Sequence, residues 1–89
     1  MRAPRRAGQF KKDYKRMKRR GKDMAKLRGV MEKLARQEPL DPKHRDHVLV
    51  GNYVRRRECH VEPNWLLVYK IESDSILFER TGTHSDLFT

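Results

Sequence analysis

The 89-residue sequence holds one cysteine, Cys59, so it can form no internal disulfide and offers no cysteine framework for zinc. No apolar run approaches the roughly 18 residues that a membrane span needs, and Met1–Phe10 lacks the apolar middle of a secretion signal. A cytoplasmic protein is therefore expected. Hydrophobic residues are also scarce, 36% against 38% charged, so only a small core is available to a single domain. Acidic residues are nearly missing from the first part of the chain. Residues 1–37 carry 15 Lys/Arg and only Asp13, Asp23 and Glu32, a net of +12, whereas residues 38–89 carry 7 Lys/Arg and 9 Asp/Glu, a net of −2. Charge divided in this way points to nucleic acid or another polyanion. The basic half lacks the wide apolar face of an interfacial helix, which places membranes well behind nucleic acid.

Within that basic half the apolar residues are periodic. Residues 1–8 show no period, and Pro4 limits them to an edge strand or a flexible basic arm. From Gln9 to Arg20, Phe10, Tyr14 and Met17 form one helical stripe, with Gly21 suited to the left-handed turn that ends a helix. Asp23 is placed to cap a second helix striped by Met24, Leu27, Val30/Met31 and Leu34 and running to about Gln37. Pro39 and Pro42 end this section, and His44–Asp46 reads as loop.

The rest is β-rich. A strand is expected over Asn52–Val61, including Tyr53 and Val54. Trp65–Ile71 has the two-sided apolar pattern of a central strand. A turn at Glu72–Asp74 leads to a third strand over Ile76–Thr81, and Thr83–Phe88 fits one short capped turn. Two helices followed by an antiparallel sheet of three or four strands make an α+β fold, with residues 9–89 as its single domain.

Three histidines fall beside strands: His47 before one, His60 near the end of another, His84 after the last. Strand ends gather on common sheet edges, so these rings can converge. Imidazole gives or takes a proton near neutrality, with an unperturbed pKa of about 6.5. Composition alone favours the plainer reading of ordinary surface or turn residues. Arg55, Arg56 and Arg57 read either as a solubilised strand or as a phosphate grip, Arg55 and Arg57 sharing one face. Arg80 follows Ile76 and Phe78 on an apolar stripe, either paired with Glu58 or Glu79 or flooring an anion site. Trp65 and Phe88 are core or base-stacking aromatics, with Phe88 the better placed to project. The exposed basic positions of the first helix, among them Lys11, Lys12, Lys15, Lys18 and Arg19, suit salt-sensitive contacts with a nucleic-acid backbone.

The segment DHVLVGNYVRRRECHVEPNWLLVYK and, after it, FERTGTHSDLF resemble the YafQ branch of the RelE/ParE toxin superfamily, over about Gln9 to Phe88. The resemblance implies the toxin of a type II toxin–antitoxin pair, a ribosome-dependent messenger-RNA endonuclease needing no metal or cofactor. It implies two N-terminal helices on a small twisted antiparallel sheet. The implied partners are a DinJ-like antitoxin, message in the ribosomal A site and ribosomal RNA, with operator DNA reached only through the antitoxin. Carried over residue by residue, His47, His60, Arg80 and His84 match the family's active-site positions, Trp65 its adjacent tryptophan and Phe88 its terminal aromatic. The family's active-site aspartate falls on Asn64. Val48 stands where proline is usual, and Arg55 where glycine is usual.

Metal-free RNA cleavage uses the 2′-hydroxyl as nucleophile, one group to take its proton, another to protonate the leaving 5′-oxygen, and a cation for the phosphate charge. Histidines suit the transfers and Arg80 the charge, while Trp65 or Phe88 can hold a splayed base. An amide at Asn64 cannot exchange protons, so slow cleavage is the expectation if the carboxylate matters. The alternatives are a fold-sharing module that binds RNA, ribosome or antitoxin without cutting, and a ParE-like gyrase inhibitor, which does not need this histidine set.

Overall fold

The computed structural model describes residues 1–49 and 55–88. In chain order they form β1 (Ala3–Arg6), α1 (Gly8–Arg19), α2 (Met24–Ala35), a 3₁₀ turn (Pro42–His44), β2 (His47–Val48), β3 (Arg56–Glu62), β4 (Trp65–Ile71), β5 (Ser75–Gly82) and α3 (His84–Phe88). The expected start of a strand at Asn52, with Tyr53 and Val54, lies outside the described residues.

Both long helices close in the same way. Gly21 sits at φ 80°, its N–H donates to the Lys18 carbonyl, and the Lys22 N–H donates to that of Met17. At the end of α2, Gln37 takes φ 61° and donates to Leu34, while Glu38 donates to Lys33. These reciprocal bonds satisfy carbonyls that a helix end leaves bare, at a position where glycine is favoured and glutamine is strained. Asp23 caps α2 by accepting from the Ala25 N–H at 3.1 Å.

The sheet has five strands in the order β1-β5-β4-β3-β2, more than the three or four expected. It is also mixed, because β1 runs parallel to β5 as an edge strand while the other pairings are antiparallel. An edge tolerates Pro4, which has no N–H to contribute to a ladder.

Side chains alternate across the sheet, and the two faces differ. One face carries Cys59, Val61, Trp65, Leu67, Tyr69, Ile76 and Phe78 under Phe10 and Met17 of α1 and Leu27, Val30, Met31 and Leu34 of α2. The other holds a smaller cluster of Leu66 and Val68, with Leu87 of α3 against them. Trp65 is 0% exposed on the covered face, and its indole N–H donates to Thr81 Oγ1 at 2.9 Å. Its expected role as a base-stacking surface is corrected accordingly: a ring with no accessible area cannot meet a base.

Arg80 requires a second correction. The pairing register shifts between Val68 and Tyr69, so Phe78 pairs with Tyr69 but Arg80 with Val68, leaving Glu79 as the extra residue. An extra residue of this kind re-aims the side chains beyond it. Arg80 therefore leaves the Ile76–Phe78 stripe and joins Val68 on the second face. Its carboxylate partner is neither Glu58 nor Glu79 but Asp13 of α1, with Nε donating to Oδ2 at 2.7 Å.

Candidate active site

The second face of the sheet is where the histidines meet. His47 pairs across the ladder with Glu58, Glu58 with Val68, and Val68 with Arg80; one row on, His60 pairs with Leu66 and Leu66 with Gly82. Two-residue periodicity thus puts His47, Glu58, His60 and Arg80 on one face. His84, the first residue of α3, completes the group. Ring centroids lie 6.4 Å apart for His47 and His60, 6.1 Å for His60 and His84, and 6.1 Å for His84 and Phe88. Residues from β2, β3 and α3 therefore form one continuous row of rings.

Their hydrogen bonds distinguish them. A carbonyl oxygen only accepts, so His60 donates from Nδ1 to the Pro63 carbonyl at 3.2 Å, which leaves Nε2 for a ligand. His47 donates from Nδ1 to the Arg45 carbonyl at 2.6 Å, while its Nε2 lies 3.1 Å from Glu58 Oε2. Both His47 nitrogens thus face oxygen, which fixes the orientation of the ring. Glu58 is only 5% exposed, and its Oε1 is buried without a partner among the described residues. Such an acceptor is costly unless water or a ligand donates to it.

α3 is held in place from two sides. The Thr83 N–H donates to Asp86 Oδ2 at 2.9 Å and the Asp86 N–H to Thr83 Oγ1 at 3.2 Å, a reciprocal cap. Arg20, just past α1, forks onto the same carboxylate with bonds of 2.7 and 3.0 Å. The Arg20 guanidinium holds the Asp86 carboxyl well below the usual carboxylate range, helped by the bonds from Thr83. A Cβ on Gly82 would lie 2.9 Å from Asp86 Oδ2, so the turn into α3 requires glycine there. Phe88, 40% exposed, ends the row of rings on this clamped turn.

Arg80 is anchored to the fully buried Asp13, whose Oδ1 also accepts from Gln9 at 3.0 Å and Arg16 at 3.1 Å, and whose Oδ2 accepts from the Thr81 N–H at 3.2 Å. Nε and Nη2 of Arg80 are both turned to Asp13, so the guanidinium is fixed rather than free to swing. Sequence reasoning misses Asp13, although it lies three residues after Phe10 on the buried stripe of an otherwise basic helix. Asn64 is exposed in the turn between β3 and β4, next to the Pro63 that holds His60.

Other expected binding residues lie elsewhere. Arg55 is exposed in a turn at φ 69°, outside the strand, and does not share a strand face with Arg57. Arg56 donates from Nε to Glu79 at 3.0 Å, and Arg57 from Nε to Asp46 at 3.3 Å, so carboxylates occupy the expected phosphate grip. Lys11, Lys12, Lys15, Lys18 and Arg19 are exposed on α1, which covers the opposite face of the sheet from the histidines. Burial pushes the Cys59 thiol far up from its ordinary value, which removes it as a nucleophile. No group of three or more potential metal-ligating side chains occurs among the described residues.

The family model described as the bacterial toxin of a type II toxin–antitoxin system, YafQ, matches residues 2–89. The chain belongs to the YafQ family. It is 45% identical over 83 residues to the mRNA interferase toxin YafQ of Escherichia coli K12, covering 92% of this chain and 90% of that protein. The crystal structure of the E. coli DinJ–YafQ complex contains a chain that superposes with a TM-score of 0.92 at 42% identity, with full coverage of both. A metal-bound toxin from Helicobacter pylori superposes at 0.93 with 39% identity, covering 99% of this chain and all of that one. The α+β architecture is thus that of YafQ toxins, and among the described residues no helix is long and apolar enough to cross a membrane.

Proposed function

We propose that this YafQ-family chain is the toxin of a type II pair and cleaves messenger RNA on the ribosome. In this reading it works in the cytoplasm and is restrained by a DinJ-like antitoxin. The observation that carries the reading is the row of three imidazoles and a projecting phenyl ring on the face of the sheet that α1 and α2 leave open. The 2′-hydroxyl of one nucleotide attacks the adjacent phosphorus and loses its proton. The 5′-oxygen of the next nucleotide leaves and gains one, giving a 2′,3′-cyclic phosphate and a 5′-hydroxyl.

His60, with Nε2 left for a ligand, and His84 are the proton-transfer pair. His47, engaged by Glu58 and beside His60 in the row, helps to position the strand being cut. Arg80 supplies fixed positive charge for the phosphorane, positioned by Asp13 rather than recruited by substrate. Phe88 stacks on a base and sets the in-line geometry. The lysines of α1, remote from the rings, contact ribosomal RNA. Operator DNA is met only through the antitoxin.

The test is to map message ends after incubation with programmed ribosomes. Cleavage by the parent chain and its loss in His60→Ala and His84→Ala support the reading; full activity in both variants removes it. Asn64→Asp is expected to raise the cleavage rate, because it restores an ionisable group beside His60. The exposed amide at Asn64 also favours a second reading, a toxin-fold module that occupies ribosome and antitoxin without cutting. In that case the parent binds programmed ribosomes and leaves message intact.

A further inference from the structure

Many cations among the described residues lack an ion-pair partner, Lys11, Lys12, Lys15 and Lys18 of α1 among them, but one such pair shares a cavity with a ring of the histidine row. Arg16, Arg20, Lys22, Lys26, Arg56, Arg57 and Arg80 all lie within ion-pair distance of Asp or Glu. Lys43 and Arg45 have no ion-pair partner among the described residues, and they line a cavity of about 270 Å³ with His60 and Pro63. Two like charges in one depression repel each other, and no carboxylate among the described residues neutralises them.

The chain invests structure in putting them there. Asp41 caps the 3₁₀ turn by accepting from the Lys43 N–H at 3.0 Å. His44 then pins that turn to β3, donating from Nδ1 to the His60 carbonyl at 2.6 Å. Arg45 takes the left-handed conformation, φ 46° and ψ 48°, in which a non-glycine residue is strained. Strain of this sort persists where the surroundings impose it, and often at functional positions. Here it also aims the Arg45 carbonyl at the His47 ring. Lys43 further lines a second cavity, of about 300 Å³, with Lys26, Lys33 and His44. The Lys43–Arg45 cavity therefore lies at the His47–His60 end of the row of rings, with Phe88 at the other end.

We propose that the Lys43–Arg45 cavity is a subsite for a backbone phosphate of the message, flanking the linkage that is cut. It rests on the cleavage reading for its place in the reaction but not for its ligand chemistry. A lysine and an arginine around one depression suit a phosphodiester: the first supplies a point charge, the second a forked pair of donors. With Phe88 gripping a base at one end and this cavity a phosphate at the other, the strand is stretched across His60 and His84.

The test uses Lys43→Gln and Arg45→Asn, singly and together; asparagine tolerates the left-handed backbone, and each variant's melting curve is checked against the parent. The first probe is a short single-stranded oligonucleotide with 2′-O-methyl riboses, which cannot be cut. The double variant is expected to bind it at least tenfold more weakly. The slope of log affinity against log salt should shrink by about 0.7 for each phosphate no longer held. On programmed ribosomes KM rises at least tenfold with kcat within about twofold, and affinity for vacant ribosomes is unchanged.

Equal oligonucleotide affinity and equal salt slope in parent and double variant overturn the subsite. A fall in affinity for vacant ribosomes as large as that for the oligonucleotide also overturns it, because the cations then serve ribosomal RNA. If the parent and its Asn64→Asp form never cut message while the oligonucleotide difference remains, the cleavage reading fails and the phosphate site stands.

Discussion

The two faces of the sheet are built from the same strands and do opposite work. Beneath α1 and α2, aromatic and aliphatic side chains are sealed from water, and the fully buried carboxylate beside them, Asp13, is satisfied by five hydrogen bonds. On the other side a small apolar patch is surrounded by imidazoles, an under-satisfied glutamate and cations without carboxylates. The covered face is built for stability, and the open face keeps polar capacity that a ligand can use. Substitutions on the two faces should therefore separate folding from chemistry.

The largest effects are expected on the covered side. Trp65→Ala removes a fully buried ring and deprives the Thr81 hydroxyl of its indole donor, and should cost about 3–5 kcal/mol in urea unfolding. Asp13→Ala leaves Arg16, Arg80 and the Thr81 N–H without their acceptor and should cost a comparable amount, about 3–5 kcal/mol. A Trp65→Ala protein with parental stability and impaired RNA binding would return that residue to the binding surface. The open face gives the converse pattern. His84→Ala, in the parent and in the Asn64→Asp background, should slow single-turnover cleavage about a hundredfold to ten-thousandfold. Because the ring is exposed, its unfolding midpoint should hardly move.

The junction between the faces is sensitive to pH. Arg20 holds the Asp86 carboxyl below its unfolded value, so the folded state favours the ionised form. Stability from this clamp is complete above the unfolded carboxylate pKa of about 4 and drains away as pH falls below it. Asp86→Asn, which keeps an oxygen for the Thr83 N–H, should flatten the acid limb of the stability profile. A limb of unchanged steepness would show that other carboxylates set it. The smallest effect has the opposite sign. Gln37→Gly relieves a left-handed residue at the end of α2 and should raise stability by up to about 1 kcal/mol, as Gly21 already does for α1.

Much of this architecture is legible in the sequence because it is local. Apolar spacing marks both helices, Asp23 announces its cap, Thr83 and Asp86 stand three apart as a capping pair must, and strand-end positions foretell the meeting of His47, His60 and His84. The illegible parts depend on pairing between distant segments. Nothing in Ala3–Arg6 names β5 as its parallel neighbour. One extra residue at Glu79 inverts the side on which Arg80 emerges, and no alternation rule anticipates it. Arg56 and Arg57 look like a phosphate grip until Glu79 and Asp46 arrive from elsewhere. Lys43 and Arg45 are hidden for the converse reason: their stretch reads as an ordinary proline-bounded loop, and their value comes from a docking contact between His44 and the backbone of His60.

The parallel pairing of β1 with β5 carries a consequence for biosynthesis. β1, near the start of the sequence, takes its place in the sheet beside β5, which is synthesised about 70 residues later. Until β5 emerges, α1 lacks the strand that supplies Ile76 and Phe78 to the core around Phe10 and Met17, and neither His84 nor Phe88 yet exists. In the proposed reading, cleavage therefore waits until the segment that carries β5 and α3 has cleared the ribosomal tunnel.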